Sequence, residues 1–181
     1  YSESLYLEYW FGKEAGEKYN LALRENIGNN KPMIGQYGVN NRGSDIYAKG
    51  AVLLGMIRQM INNDEKWRSI LRGLNETFYH QTVETGQIEN YISEHSGMDL
   101  SIFFDQYLRD TGIPILEYFF FEGKMYYRWS GVPDHFSIPI DVYLGEMELR
   151  ITPRKSWQAI ETNEDQLNIQ LNYYIASLKI Q

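Results

Sequence analysis

Three histidines, His80, His95 and His135, are the side chains best suited to hold a metal or move a proton near neutral pH. Their spacing does not build a metal site. The H-E-x-x-H arrangement puts two imidazoles on one helical face, and Glu94-His95 has no second His four residues on. His95 stands just before Gly97 and reads as a residue that satisfies carbonyls at a helix C-terminus. His135 follows Pro133-Asp134 and reads as loop. The sequence has no glycine-rich phosphate loop and no nucleophile elbow, and carboxylate pairs such as Glu164-Asp165 read as solvated turn positions. One segment differs: Ser44-Asp45-Ile46-Tyr47-Ala48-Lys49-Gly50-Ala51-Val52-Leu53-Leu54. Ser44 is placed to cap a helix, and Asp45 supports its positive end. Ile46, Gly50, Leu53, Ile57 and Met60 form the expected buried stripe, with Tyr47 about 100° from Ile46 at the stripe's edge. A tyrosine there keeps its ring packed and turns its hydroxyl outward, as a hydrogen-bond donor or as an ordinary packed residue. Gly50 and Gly55 each weaken a helix by about 1 kcal/mol relative to Ala, which predicts close helix packing at both.

The elements that must position these residues change character near Pro114. Before it the pattern is helical. Ala15, Tyr19, Ala22 and Leu23 form one stripe, and Trp67, Ile70, Leu71, Leu74 and Phe78 another, capped by Asp64. Ile88, Tyr91 and Ile92 run up to Gly97. Leu100, Phe103, Phe104, Tyr107 and Leu108 follow Asp99 as N-cap and end before Gly112 and Pro114. Residues 28–43, rich in Gly and Asn, read as loop. After Pro114 the period is two: Phe136, Ile138, Ile140, Val142 and Leu144, then Met147, Leu149 and Ile151, then Leu167, Ile169 and Leu171. Glu122-Gly123 divides two aromatic runs and reads as a hairpin turn. Helices followed by strands without alternation predict an α+β chain in two units, a helical one over residues 1–114 and a small antiparallel β-sandwich over 115–181.

Bulk properties narrow the classes. Hydrophobic residues at 43% and charged residues at 23% give a globular balance. A net charge of −7 argues against a nucleic-acid partner, which needs a basic stripe. No apolar run is long enough to span a bilayer. The absence of Cys excludes thiolate chemistry and leaves the compartment open. The chain opens on Tyr1-Ser2-Glu3-Ser4 without Met, and is expected to be cut from something longer.

Four segments, in order, resemble the aminopeptidase N / leukotriene-hydrolase family of zinc metallopeptidases. Tyr47-Ala48-Lys49-Gly50 is similar to its Y-x-K-G signature, with Ala where Glu is frequent. Tyr1-Ser2-Glu3-Ser4-Leu5-Tyr6 resembles the helix that follows the third zinc ligand. Ser96-Gly97-Met98-Asp99-Leu100, Phe103-Phe104-Asp105-Gln106-Tyr107-Leu108 and Gly112-Ile113-Pro114 resemble the ending of the catalytic domain, with Tyr107 in place of the usual Trp. Tyr127-Arg128-Trp129 and Phe136-Ser137-Ile138-Pro139-Ile140 look like the start of the β-sandwich that follows it, and residues 145–181 match in strand pattern alone.

The resemblance implies a helical C-terminal lobe of a thermolysin-like catalytic domain joined to a small β-sandwich. It implies a parent that removes N-terminal residues from peptides, with Tyr47 donating a hydrogen bond to the oxyanion. It places the zinc ligands and general base upstream of Tyr1, so no zinc is expected in this fragment, which should be inactive alone. A surface left bare where the zinc helix should pack on residues 1–60 would be apolar and could drive dimerisation. The alternative is a non-catalytic relative used as a binding or scaffold module, in keeping with Ala48. A carbohydrate-binding sandwich built on Tyr126, Tyr127, Trp129 and Trp157 is a weaker reading, because such rings are usually core.

Overall fold

A computed structural model describes residues 1–34 and 45–180. Among them, six helices precede two small sheets, an α+β arrangement in two units. The helices are α1 (Ser2–Phe11), α2 (Lys13–Ala22), α3 (Asp45–Ile61), α4 (Asp64–Thr77), α5 (Thr85–Ser96) and α6 (Ser101–Phe104), the last continuing into one π-helical stretch, Asp105–Arg109.

Local chemistry sets the helix ends. The cap of α4 is Asn63, not Asp64. In its extended conformation Asn63 turns its side-chain oxygen back to accept the Lys66 N–H at 2.9 Å, while the Asp64 carboxylate is drawn to Arg58 Nε at 2.8 Å. The α5 N-terminus carries a reciprocal capping box between Glu84 and Gln87, and the helix stops at Gly97 with φ 71°. Asp99 accepts the backbone N–H and hydroxyl of Ser101 at 3.0 and 2.6 Å just ahead of α6, but the N-cap is Leu100, one residue later than expected.

The inner face of α2 is not the one the periodicity picks out. Gly16 and Asn20 are the buried residues of α2, whereas Ala22 is exposed. The reason is close backbone approach: a Cβ on Gly16 would lie 2.7 Å from the Ser4 carbonyl oxygen of α1. Gly55 of α3 is likewise pressed by Asn20, at 2.2 Å from such a Cβ, while among the described residues Gly50 meets Met33 alone, at an ordinary 3.8 Å. The tight packing expected at both glycines therefore holds at Gly55. On α1 the inner face is polar, with Ser4 buried and Glu8 bidentate to Arg58 at 2.5 and 2.9 Å. The outer face presents Tyr6, Tyr9, Trp10 and Phe11, each 61–79% exposed.

Seven strands follow: β1 (Ile115–Phe121), β2 (Lys124–Ser130), β3 (Ile140–Leu144), β4 (Met147–Ile151), β5 (Gln158–Glu161), β6 (Leu167–Ile169) and β7 (Ala176–Lys179). The turn between β1 and β2 is Glu122-Gly123, with φ 47° and 72°, the pair of positive angles that suits a two-residue hairpin. One sheet has the order β5-β2-β1-β7 and the other β4-β3-β6. The pairing is antiparallel as expected except that β7 runs parallel to β1. It reaches β1 from the far end of the chain, with no hairpin to reverse its direction. Phe136 and Ile138 are buried in alternation with their neighbours, but β3 begins only at Ile140. Pro139 has no N–H for the ladder, which delays pairing.

The buried apolar residues of both units make one continuous cluster, from Met56, Trp67 and Phe103 to Leu116, Trp129 and Val142. A polar junction flanks it. Asp141 of β3 accepts from Arg150 Nε and a terminal nitrogen at 2.7 and 3.0 Å, from Gln59 Nε2 at 2.6 Å and from the Tyr173 hydroxyl at 3.0 Å. Arg150 also donates to the Met60 and Gln59 carbonyls at 3.1 and 2.8 Å, so a strand residue completes the C-terminal end of α3. Tyr107, standing where the resembled motif has Trp, is buried and donates to the Tyr174 carbonyl at 2.9 Å.

Candidate functional site

The histidines stay apart. His95 Nδ1 contacts the Tyr91 carbonyl at 2.9 Å and its ring stacks on Tyr91 at 3.8 Å, the helix-end role its position suggests. His80 has a left-handed backbone with φ 53° and lies edge-on to Tyr79, and His135 is exposed in a turn. Among the described residues no three His, Cys, Asp or Glu side chains converge on a point that could hold a metal. They do not fit a zinc site.

The first turn of α3 is the place where the sequence motif takes on geometry. Ser44, the expected cap, lies outside the described residues. Asp45 is buried; its two carboxylate oxygens accept the backbone N–H groups of Gly28 and Asn29 at 2.9 and 2.6 Å. Lys49, one turn on, is also buried and donates from Nζ to the Asn29 side-chain oxygen at 2.6 Å. Asn29, held with φ 47°, gives its amide to the Thr111 carbonyl at 2.5 Å. Burial lowers the Lys49 pKa below the ordinary lysine value, with the Asp45 and Asp110 carboxylates opposing that shift. The start of α3 is thus pinned to two chain segments by charged and amide groups.

Tyr47 stands on the opposite side. At about 100° per residue, Asp45, Lys49, Val52, Met56 and Met60 define the buried arc, and Tyr47 faces away from its centre. Ile46 and Gly50, expected inside, are half-buried. The ring of Tyr47 is 78% exposed, not packed at the stripe's edge. The error in the sequence reading traces to Lys49, a residue type that seldom goes inside and here does so paired. Asp45 and Lys49 were legible as helix residues, but not as an anchor. Nothing in their spacing names Asn29 as the partner.

The aromatic set on the sheets divides as well. Tyr127 and Trp129 are buried and cannot meet a sugar, which removes two of the four rings in the carbohydrate reading. Tyr126 stacks on Phe119 at 4.8 Å, and Trp157 meets Phe119 edge-on while Arg128 lies 4.5 Å from its centroid.

No protein-family model matches the sequence, and no curated protein does. Among solved structures the chain is similar to Legionella pneumophila aminopeptidase A, crystallised in complex with aspartic acid, with a TM-score of 0.68 and 16% identity. The alignment covers 97% of this chain and 22% of that one, so the chain spans about a fifth of the length of the aminopeptidase it resembles. At that identity the likeness is one of fold.

Proposed function

We propose that the chain is a segment of a zinc-dependent aminopeptidase, with residues 1–114 as the helical lobe of the catalytic domain and 115–181 as a small β-sandwich domain. Its contribution to the site is Tyr47. The observation that carries this reading is the 78% exposure of Tyr47 on the first turn of a helix whose other residues are buried or half-buried and which is anchored by Asp45 and Lys49. A neutral phenol donates a hydrogen bond, and a preorganised donor aimed at the oxygen of a scissile carbonyl stabilises the negative charge developing there. The anchor beneath α3 supplies the preorganisation, since it fixes the backbone from which the ring projects. The fold likeness to an aminopeptidase over nearly the whole chain supports the same reading.

A donor alone hydrolyses nothing. The metal and the general base would come from residues other than those described, and the isolated chain is expected to leave aminoacyl-nitroanilide substrates intact. The decisive experiment uses the longer protein that carries an H-E-x-x-H segment upstream. There Tyr47→Phe removes the hydroxyl alone, and kcat should fall by about 10²–10³ with KM nearly unchanged. Wild-type turnover in that variant would overturn the role of Tyr47. A parent gene without H-E-x-x-H would favour the non-catalytic scaffold instead. The exposed rings of α1 support a related proposal, self-association of the isolated chain through that face; sedimentation as a monomer at high concentration would count against it.

A further inference from the structure

The inner side of α1 meets α2 and α3 across a small polar cavity of about 40 Å³, lined by Tyr1, Ser4, Glu8, Asn20, Arg58 and Gln59 among others. Most of its polar groups are satisfied. Arg58 donates to both oxygens of Glu8 and to Asp64, and Gln59 donates to Asp141. Two are not. Ser4 Oγ and Asn20 Oδ1 are buried without a hydrogen-bond partner among the described residues, on side chains just 4% and 7% exposed. They come from different helices, and both residues line the same cavity.

These facts restrict what could occupy the space. Asn20 Oδ1 can only accept, so the occupant must donate a hydrogen bond; the Ser4 hydroxyl can do either. Both carboxylates beside Arg58 have further cationic partners, Arg68 near Glu8 at 3.7 Å and Lys13 near Asp64 at 3.5 Å, so neither is left unpaired to recruit a cation. Two buried oxygens left unsatisfied would each lose their hydration with nothing to replace it. The volume is too small for an organic ligand and has room for about three waters, at roughly 10–15 Å³ of such volume per molecule. We propose that the cavity is an internal hydration site, in which ordered water donates to Asn20 Oδ1, exchanges a hydrogen bond with Ser4 Oγ, and serves as the joint between α1 and the α2–α3 pair. Water then fills the role that apolar packing fills elsewhere. Gly16 and Gly55 fit this picture, because the first lets the α1 and α2 backbones close together and the second leaves room for the Asn20 side chain against α3.

Magnetic relaxation dispersion of ¹⁷O-enriched water on the folded chain tests this by counting waters held longer than the molecule takes to tumble. The wild type should hold at least one such water. Ser4→Val, which replaces the hydroxyl with apolar volume, and Asn20→Leu, which removes the acceptor, should each lose at least one. Should either variant fail to fold, the other carries the comparison. A wild-type chain with no long-lived water, or a count unchanged in the folded variants, would overturn the proposal. A high-resolution crystal structure with no water density between Ser4 and Asn20 would do the same.

Discussion

Helix α1 and the β1–β2 hairpin are both crowded with aromatic residues, yet they dispose of them in opposite ways. The hairpin puts Leu116, Met125, Tyr127 and Trp129 into the core and keeps Glu117 and Arg128 paired on its other face at 2.7 Å. Helix α1 buries Ser4, half-buries Glu8 and leaves Tyr6, Tyr9, Trp10 and Phe11 in solvent. Aromatic content therefore does not locate a core in this chain. Position relative to the neighbouring backbone does. In the hairpin the period of two fixes which face each ring takes. In α1 the close approach at Gly16 selects the inner face, and the rings are left outside.

The largest expected effect tests that contrast directly. Trp129 is fully buried and meets Phe136 edge-on at 5.8 Å, so Trp129→Ala should destabilise the fold by about 3–5 kcal/mol in urea denaturation. Trp10→Ala should change it by no more than about 0.5 kcal/mol, because Trp10 is 61% exposed and its ring neighbours Tyr6 and Tyr9 are exposed as well. Equal losses in the two variants would break the comparison.

A second difference lies in what holds each region in place. The sheet side is fastened to α3 through Asp141. Burial alone would raise its pKa, but hydrogen bonds from Arg150, Gln59 and Tyr173 outweigh that and hold it below the ordinary 3.8. On the α1 side, hydrogen bonds from Arg58 similarly hold Glu8 below its ordinary 4.5 and Asp64 below 3.8. A carboxylate with a depressed folded-state pKa contributes stability that is complete above its unfolded value and is lost as pH falls through the folded one. Both junctions should therefore weaken below about pH 4, with the loss continuing as these groups protonate. Asp141→Asn keeps the shape but removes the charge, and should cost about 1.5–3 kcal/mol near neutral pH while flattening the acid limb of the stability curve. An unchanged acid limb would show that Asp141 is not one of the carboxylates that govern it.

The same contrast explains how much was legible in the sequence. The β1–β2 hairpin with its Glu122-Gly123 turn and the strand Met147–Ile151 could be read closely, because alternation and a two-residue turn leave few choices, whereas residues 136–139 and Leu171 alternate but lie outside the strands. The parallel partner β7 could not, since nothing local in residues 176–179 says which strand it will meet. Helix positions were legible, but their inner faces were less so. Asp45 and Lys49 are charged, and charge is ordinarily read as outside. Their burial depends on Asn29 and on the segments it ties, which are distant in sequence. Ser4 and Asn20 are buried as well, and no apolar pattern marks small polar residues as inward-facing.

The smallest expected effect is the one that bears most on function. Tyr47 shares a helical turn with Asp45 and Lys49, both of which hold the fold, yet it shows 78% of its own surface. Tyr47→Phe should therefore leave thermal stability within about 0.5 kcal/mol of the wild type. A loss well above that would mean the hydroxyl is engaged in holding the chain together, and the simple reading of a free donor would fail. An unchanged stability has a sharper consequence: any fall in kcat of the longer protein carrying the same substitution could not be assigned to a damaged fold. It would belong to the hydrogen bond that the phenol gives in the transition state. Lys49→Met supplies the opposite case. It removes the donor to Asn29 from beneath the same turn, so it should disturb stability while leaving the Tyr47 hydroxyl in place. The two substitutions together separate the residue that anchors this turn from the residue proposed to act from it.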